Sequence, residues 1–352
     1  MTDTDMRVRL FHQPQEEGPP VPKVSVIIAL HTCSERFLKD FGHFRNLEYP
    51  NFEILIIVDE PNLNEATNPR VGNLKRLRKE GLVSIISTGK QITGPGEKRD
   101  IGIKNAAGEI CAFIDDDAYP RPDWLRSAVP YLDKPEIAAV GGPGVTPPED
   151  GLLAQASGAV YSSPMGSGQA LYRFIQRKAR EVDDFPAFNL LVRTDILRKI
   201  GGFSSTFYGG EDTKMCLEII RLGKKILYRP EVVVFHHRRS LFFDHLKQIA
   251  NVGLHRGYFA KTYPETSRRM FYFLPSIVVT ILFFGSILSV FSNVVAAILV
   301  ISLLCYFGFA LVSLLPASRL DVALLGAIGV MLTHFVYGIT FIRGLMLKHL
   351  DS

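Results

Sequence analysis

The chain carries the stretch Ile110-Cys-Ala-Phe-Ile-Asp-Asp-Asp-Ala-Tyr-Pro120, in which an apolar run ends in three consecutive carboxylates. β-Branched and aromatic residues between Gly108 and Pro120 are typical of a short buried strand. Adjacent carboxylates repel one another and resist leaving water, whereas a divalent cation would stabilise them, because hard cations prefer oxygen ligands. We therefore interpret the stretch as a metal-assisted site for a phosphate-bearing substrate, with a solvated acidic turn as the alternative.

Other apolar runs of strand type surround this one and alternate with segments of helical spacing. They cover 24–30, 52–58, 83–87, 138–144, 188–192, 226–228 and 232–235, whereas 146–187 show no pattern that we can assign. Strands that alternate with helices predict an α/β fold with a mostly parallel sheet and flanking helices. Ligands of such sheets bind beyond the carboxyl ends of the strands. Asp59 and the acidic triplet (Asp115, Asp116 and Asp117) are predicted at those ends, so we expect them to line one crevice.

A second acidic feature, the acid pair (Glu211 and Asp212), follows Gly209-Gly210 and begins a segment of helical spacing. Acidic residues at a helix start cap the helix and complement its dipole, which is one interpretation of the pair. The other interpretation is a catalytic carboxylate at the edge of the crevice.

The C-terminal part of the chain is apolar over long distances. Residues 270–318 contain no Asp, Glu, Lys or Arg, and neither do residues 322–342. Because about 20 apolar residues span a bilayer, we predict a transmembrane region at 270–347 with spans at 271–291, 294–315 and 321–342. Buried core helices are the alternative. Three spans would leave Arg343 and Lys348 outside, against the positive-inside rule. Either one segment is re-entrant or the short tail tolerates this breach of the rule.

The segment 240–269 joins this region to the rest of the chain. Its apolar residues recur at helical spacing with basic residues between them. This pattern predicts an amphipathic helix in the membrane interface, in contact with membrane lipids, and a helix packed on the soluble domain is the alternative. Basic residues beside a membrane segment stay on the cytoplasmic side. The net charge of +5 is modest and no recognition motif for nucleic acid is present, so we exclude nucleic acid as a partner.

The N-terminal residues and the cysteines indicate the compartment. Residues 1–22 are polar and interrupted by proline, which predicts a mobile tail rather than a signal peptide. The four cysteines have neither metal-type nor disulfide-type spacing, as expected in a reducing compartment. We therefore expect residues 23–239 to form a cytoplasmic domain of an integral plasma-membrane protein.

Four features occur in one order along the chain: a Val24-Ser-Val-Ile-Ile strand, Asp59 at a strand end, the acidic triplet, and a Gly-Gly sequence before the acid pair. Together they resemble the family 2 glycosyltransferases, inverting enzymes of the GT-A fold that use nucleotide-diphosphate sugars. The resemblance covers about Val24 to Arg239. With the membrane tail, it is similar to members that build exopolysaccharides or lipid-linked glycans. It implies a GT-A domain and a hexosyltransferase active in polysaccharide biosynthesis.

The resemblance implies roles on the donor side. The family's Asp-x-Asp motif falls on Asp115 and Asp117, which would hold Mn²⁺ or Mg²⁺ on the donor pyrophosphate, and Asp116 between them would also belong to the donor site. Asp59 matches the acid that contacts the nucleobase. Glu60 replaces the second Asp often found there, so the choice between these two residues stays open.

The resemblance also assigns an arginine and the catalytic base. Arg99 keeps the place of the family's arginine and would clamp a phosphate, with an ion pair to Asp100 or Glu97 as the alternative. Asp212 matches the carboxylate that takes the proton from the acceptor hydroxyl. Glu211 beside it would be structural or contact the acceptor.

Basic residues end the last soluble strand. Some metal-dependent members of the fold use a histidine there as a further metal ligand, and an imidazole suits Mn²⁺ better than Mg²⁺. We assign His236 to this role, and leave open both His237 and a purely structural histidine. Arg238 and Arg239 are assigned to the acceptor side.

Two motifs of related enzymes are absent from the sequence. The Gln-x-x-Arg-Trp motif of processive synthases is missing, and so is the Asp-Ala-Asp-Leu-Gln-His pattern of dolichol-phosphate mannose synthases. We therefore predict metal-assisted transfer of a single sugar to a lipid-linked glycan acceptor at the cytoplasmic membrane face. A polyprenyl-phosphate sugar synthase and a non-catalytic membrane component that binds a glycolipid are the alternatives.

Overall fold

The computed structural model describes residues 21–64, 68–81, 83–204 and 210–350. The predicted tail lies outside these ranges up to residue 20, and so does Gly209. The strands are β1 (Val24–Ala29), β2 (Phe52–Val58), β3 (Ser84–Ser87), β4 (Ile110–Ile114), β5 (Ala118–Pro120), β6 (Ile137–Gly141), β7 (Gly144–Val145), β8 (Arg180–Val182), β9 (Asn189–Arg193), β10 (Lys225–Tyr228) and β11 (Val234–His236). The α-helices are α1 (Glu35–Asp40), α2 (Val71–Lys79), α3 (Pro95–Asn105), α4 (Trp124–Ala128), α5 (Leu152–Tyr161), α6 (Pro164–Ser167), α7 (Thr194–Ile200), α8 (Glu211–Arg221), α9 (Phe243–Thr262), α10 (Pro264–Ser267), α11 (Met270–Ser289), α12 (Asn293–Leu314) and α13 (Leu320–Met346).

Eight strands form the central sheet in the order β3-β2-β1-β4-β9-β6-β10-β8. β3, β2, β1 and β4 are parallel neighbours, and β6 pairs with β10 in parallel. β9 runs antiparallel to both β4 and β6, and β8 runs antiparallel to β10 at the edge. The predicted α/β fold with its sheet and flanking helices is confirmed, and the half of the sheet that contains β9 is mixed.

The central strands are buried on both faces, which explains why their sequences are continuous apolar runs. Successive side chains point to opposite faces of a strand. Val26 and Ile28 of β1 belong to the hydrophobic core on one side of the sheet. Ile27 packs in the core on the other side with Phe113 of β4 and Phe203. The two cores fix the sheet whose strand ends carry the acidic residues.

A second, three-stranded sheet lies beyond the acidic triplet, in the order β5-β11-β7. β5 begins directly after the triplet and runs antiparallel to β11, with Ala118 opposite His236. β11 also pairs with β7 in parallel. This small sheet therefore brings β11 back beside the triplet.

The stretch 146–187, which had no assignable pattern, forms α5, α6 and β8. α5 packs on the last helix of the chain, where Gly326 and Gly329 of α13 allow close approach to Ala159 and Val160. Leu241 joins the same buried cluster. α5 and Leu241 are thus packed directly against α13.

The described residues include three helices that are long and apolar enough to cross a membrane, at 270–289, 293–317 and 320–346. Only 6% of the apolar window of α11 and of α12 is buried within the protein, against 44% for α13. α11 and α12 therefore expose apolar surface that a bilayer would cover, whereas α13 supports the neighbouring helices and α5.

α9 lies in the segment predicted to be an interface helix. Gly253 and Gly257 bring its backbone against α13, near Tyr337 and Phe341. Phe243 at its N-terminal end is exposed. α9 therefore packs on α13, one of the helices that could cross a membrane, and its place in the membrane interface stays a prediction.

Candidate active site

The acidic residues meet at the carboxyl ends of β1, β2 and β4. Because these strands are parallel and in register, Asp59 after β2 and the triplet after β4 lie at one edge of the sheet. The backbone N–H of His31, which follows β1, donates to Asp116 Oδ2 at 2.6 Å. Burial and the neighbouring Asp117 raise the pKa of Asp116 to about 7. Asp116 thus links the ends of β1 and β4 within the crevice.

Asp115, Asp117 and His236 form the open cluster, in which one ligand atom from each side chain lies within 4.8 Å of the others. His236 Nε2 is 3.0 Å from Asp117 Oδ1. The side chain of Asp117 is 45% exposed and that of His236 is 13% exposed, so the cluster faces solvent on one side. Partial burial opposes ionisation of Asp117, but His236 keeps the pKa of this carboxyl below its usual range. Two carboxylates and one imidazole are a donor set that fits Mn²⁺.

Arg99 joins this cluster to the acid pair. One terminal guanidinium nitrogen lies 2.8 Å from Asp115 Oδ1. The other lies 3.2 Å from Glu211 Oε1 and 3.5 Å from Asp212 Oδ1. The arginine side chain is only 7% exposed. A single buried cation therefore bridges the two acidic motifs that the sequence placed far apart.

The two alternative partners of Arg99 are engaged elsewhere. Asp100 accepts the backbone N–H groups of Phe203 and Ser204. Glu97 forms an exposed ion pair with Lys90 at 2.7 Å. In the described part of the chain, the ion pairs of Arg99 thus lie within the crevice.

Asp212 is the second residue of α8, and the helix start places it beside Arg99. Burial and the neighbouring Glu211 raise the pKa of Asp212 to about 7, although Arg99 acts in the opposite direction. The backbone N–H of Ala187 also contacts this carboxyl. A carboxylate with a pKa near 7 suits general-base chemistry at neutral pH.

The predicted nucleobase residues differ in exposure. Asp59 is buried and accepts from Lys98 Nζ at 2.7 Å and from Thr88 Oγ1 at 3.0 Å. Burial would raise the pKa of Asp59, but these hydrogen bonds hold it below the usual range. Glu60 is exposed and accepts a hydrogen bond from the hydroxyl of Ser87. Which of the two acids contacts a base stays a prediction.

Arg238 and Arg239 point to different surroundings. Arg238 is buried and donates to Gly144 O and to Thr146 Oγ1, and it lies 3.4 Å from His236 Nδ1. Burial lowers its pKa to about 10. Arg239 is exposed. An acceptor role stays a prediction for both, and Arg239 is the one that is open to a ligand.

Sequence reasoning missed two carboxylates that bind His237. Its Nδ1 lies 2.5 Å from Asp150 Oδ1, and its Nε2 lies 3.0 Å from Asp40 Oδ2. Burial opposes a charge on the ring, but the carboxylates raise the pKa of His237 to about 9. These residues form the closed clamp (Asp40, Asp150 and His237). The only sequence signal was that two adjacent histidines at the end of a predicted strand are expected to face opposite sides.

Lys98 was also missed as a functional residue. Besides Asp59, its Nζ reaches the carbonyl oxygen of Leu30 at 2.7 Å, and its side chain is almost fully buried. Lys98 and Arg99 stand at consecutive positions in the first turns of α3, and consecutive helical residues point in different directions. The sequence signal was the pair of adjacent basic residues near a helix start, since each is expected to form an ion pair with a different acid.

A family profile described as "Glycosyl transferase family 2" matches residues 25–201. The mannosyltransferase PcManGT from Pyrobaculum calidifontis, solved in complex with GDP-Man and Mn²⁺, has a similar fold with a TM-score of 0.53. It is 17% identical, and the alignment covers 93% of this chain and 88% of that chain.

Two curated relatives show more sequence similarity. The pre-mycofactocin glycosyltransferase of Mycobacterium tuberculosis is 27% identical over 168 residues, which are 46% of this chain and 33% of that protein. The chain thus spans about a third of the length of that relative. A second relative, from Methanococcus voltae, is 24% identical over 247 residues, which are 66% of this chain and 73% of that protein. Its name is dolichyl N-acetyl-alpha-D-glucosaminyl phosphate 3-beta-D-2,3-diacetamido-2,3-dideoxy-beta-D-glucuronosyltransferase.

Proposed function

Because the chain belongs to glycosyl transferase family 2, we propose that it transfers a single sugar from a nucleotide-diphosphate sugar to a lipid-linked acceptor, with inversion. Membership in this family makes it a glycosyltransferase, and the non-catalytic alternative is set aside. The observation that carries the proposal is the bridge by Arg99 between Asp115 and the acid pair. It brings a candidate base beside a candidate site for the donor's diphosphate.

The donor diphosphate would be bound at the open cluster. Asp115, Asp117 and His236 would hold a divalent cation, which neutralises the charge that develops on the leaving nucleoside diphosphate. The two carboxylates suit Mg²⁺ or Mn²⁺, and the imidazole favours Mn²⁺. Arg99 adds a fixed positive charge beside the same phosphates.

Proton transfer is assigned to Asp212. It accepts the proton of the acceptor hydroxyl while the hydroxyl oxygen attacks the anomeric carbon from the side opposite the diphosphate. The bond between that carbon and the diphosphate oxygen breaks, and the configuration inverts. Arg99 and the backbone N–H of Ala187 hold the carboxylate in place, and its raised pKa of about 7 supports the role of base.

The proposed acceptor is a sugar already linked to a polyprenyl-type phosphate. The name of the Methanococcus voltae relative specifies such a lipid-linked sugar, which favours this acceptor over a bare polyprenyl phosphate. Three apolar helices and α9 support an integral membrane protein whose crevice lies near the headgroups. We propose the plasma membrane and its cytoplasmic face for residues 23–239, since basic residues precede the first span.

The first test is a thermal-shift screen of the full chain in detergent against UDP, GDP, dTDP and CMP, each with and without Mn²⁺. Ligands that bind only the folded state raise its melting temperature. A metal-dependent shift with one nucleotide is expected, and the corresponding nucleotide sugars are then assayed for transfer to lipid-linked sugars. No shift with any nucleotide and no transfer would overturn the proposal.

The second test addresses the base. Asp212→Asn is expected to lower kcat by about 10²- to 10⁴-fold, because the general base is lost, with nucleotide affinity unchanged. Glu218→Gln, which alters an exposed acid of the same helix, is the control and should retain activity.

The acceptor is tested in the same transfer assay. Transfer to bare polyprenyl phosphate but to no sugar-bearing lipid would show that the protein is a polyprenyl-phosphate sugar synthase instead.

A further inference from the structure

α9 contacts the residue before the acid pair directly and the residue after the pair through Asp184. Before the pair, Gly210 has a φ of +92°, and a Cβ there would overlap the ring of Phe259 in α9. After the pair, Thr213 Oγ1 donates to Asp184 Oδ1 at 3.2 Å. Asp184 Oδ2 accepts from Arg256 of α9, also at 3.2 Å. Arg256 and Phe259 are three residues apart and share one face of the helix, so a single face of α9 holds the start of α8.

Asp184 is the centre of this arrangement. Its side chain is 7% exposed and is bound by Thr213, Arg173 and Arg256. Burial would raise the pKa of Asp184, but Arg173 and Arg256 hold it below the usual range. Asp184 is therefore a carboxylate with fixed partners, and displacement of one partner leaves a buried charge poorly compensated.

Arg256 also reaches the membrane region. Its other terminal nitrogen donates to Ser267 Oγ at 3.1 Å, in the short helix before α11. Its guanidinium lies over the ring of Tyr272 in α11, 4.6 Å from the ring centre. The next residue, Gly257, packs its backbone against Phe341 of α13. One arginine thus touches the soluble domain and the first apolar helix at the same time.

We propose that Arg256 is a positioning residue that, through Asp184 and Thr213, aligns the base at the start of α8 when α9 is seated on α11 and α13. The inference rests on the proposed function, because the group it positions is the base of the transfer reaction. Only a planar guanidinium can bond Asp184 and Ser267 and stack on Tyr272 together, so lysine is a poor substitute. The membrane region then contributes to turnover as well as to anchoring.

The expected effect falls on kcat. The candidate donor contacts at Asp59, Asp115 and Arg99 follow β2 and β4 or lie on α3, whereas Arg256 acts on the start of α8. A displacement of about 1 Å in a catalytic group can cost about 100-fold in rate. Arg256→Lys and Thr213→Val are therefore expected to lower kcat by about 10- to 100-fold, with unchanged donor KM and unchanged nucleotide affinity in Mn²⁺.

The experiment uses the full chain in lipid nanodiscs with the donor and acceptor identified above. Arg221→Gln is the matched control, because Arg221 also joins α8 to the segment after α9, through Glu265, but at an exposed position. It should leave kcat unchanged. Tyr272→Leu changes only the stacking partner in α11 and should lower kcat in the same direction, which tests the link to the membrane region.

Arg256→Lys and Thr213→Val act through one carboxylate, so their effects on kcat should be non-additive in the double variant. Wild-type kcat in Arg256→Lys, a parallel loss of donor affinity, or additive effects would each overturn the inference. A lower melting temperature with normal kcat in the folded fraction would show a merely structural role and would also overturn it. Absence of transfer by the wild-type protein would instead refute the proposed function.

Discussion

His236 and His237 are neighbours in the chain, but their side chains lie in two regions with opposite properties. His236 belongs to the open cluster, where Asp117 is 45% exposed and the imidazole contacts a single carboxylate. His237 belongs to the closed clamp, where both ring nitrogens face carboxylates and the side chain is 5% exposed. His236 is the last residue of β11 and His237 directly follows the strand, and the two side chains contact different carboxylates.

The difference shows how one short strand serves ligand binding and folding together. A cation in the open cluster can complete its coordination with ligand oxygens from the solvent side. A cation in the closed clamp would have to displace a proton that two carboxylates already stabilise. The clamp instead joins α1, the turn before α5 and β11, and the backbone N–H of His237 donates to Asp117 O at 2.9 Å. The folded clamp therefore holds the backbone of the open cluster.

The largest expected effect comes from removal of the clamp histidine. His237→Ala leaves Asp40 and Asp150 buried without their cation, and loss of one partner from a buried ion pair costs about 3–5 kcal/mol. We expect a markedly lower melting temperature in detergent without metal. His236→Ala is the control and should melt close to the wild type. Equal melting temperatures for both variants would remove the distinction between the two regions.

The second effect is a pH dependence that His237 gives to the closed clamp, at a higher pH than Asp116 and Asp212, whose pKa values are about 7. The pKa of His237 is about 9 in the folded protein against 6.5 for an ordinary histidine, so the folded state holds this proton more tightly. The stabilisation is complete below pH 6.5 and is lost as the pH rises through 9. At 1.36 kcal/mol per pKa unit, the loss is at most about 3 kcal/mol.

This loss is measured as the melting temperature from pH 6 to pH 10. In His237→Gln, the fall of the melting temperature between pH 6.5 and 9 should largely disappear. In His236→Ala, it should be the same as in the wild type. A wild-type slope in His237→Gln would mean that another group titrates in this range.

The secondary structure next to the acidic triplet and the acid pair could be predicted from the sequence. The strand before Asp115 and the helix after Glu211 follow from patterns of a few residues, and both are present. The resemblance to a family also singled out Arg99. In the stretch 146–187, α6 and β8 are too short to give a pattern, with four and three residues. The ten-residue α5 is rich in small residues and has no polar face of helical spacing.

The partners across the fold could not be predicted in the same way. Asp40 and Asp150 lie 197 and 87 residues from His237 in the chain. Arg99 lies 112 residues from Glu211. Such pairs depend on how the small sheet and α8 return to the main sheet, which no local spacing records. The choice between the two histidines therefore needed the tertiary structure.

The third effect concerns Mn²⁺ affinity, which should depend on His236 of the open cluster and not on His237 of the closed clamp. His236→Ala should weaken Mn²⁺ binding by at least about 10- to 100-fold, the range seen even for loss of an outer partner of a metal ligand. It should also narrow the preference for Mn²⁺ over Mg²⁺, since the imidazole is the softer ligand. The measurement is the Mn²⁺-dependent shift in melting temperature in the presence of the bound nucleotide.

The control for this variant is His31→Ala, because His31 is an exposed histidine of the same crevice that contacts Asp116 through its backbone. Its Mn²⁺ affinity should equal that of the wild type. Weakened Mn²⁺ binding in a folded His237 variant, with normal binding in His236→Ala, would reverse the assignment.

The smallest effect tests whether the two regions are independent. The ring of Tyr119 stacks near Phe235 and His237, and its hydroxyl donates to Glu149 Oε1 at 2.8 Å. Tyr119→Phe removes this hydrogen bond, while the exposed Glu149 regains water, so we expect a cost of about 0.5–1.5 kcal/mol. The melting temperature should fall slightly, and Mn²⁺ affinity should not change.

Tyr131→Phe provides the comparison for this last variant, because Tyr131 donates to Glu231 at 2.7 Å in the same kind of bond away from both regions. If Tyr119→Phe and Tyr131→Phe lose the same stability and keep the wild-type Mn²⁺ affinity, Tyr119 only stabilises the fold around the clamp. A loss of Mn²⁺ affinity in Tyr119→Phe but not in Tyr131→Phe would mean that small displacements of the clamp reach Asp117. In that case the closed clamp would set the geometry of the open cluster, and the two regions would form one functional unit.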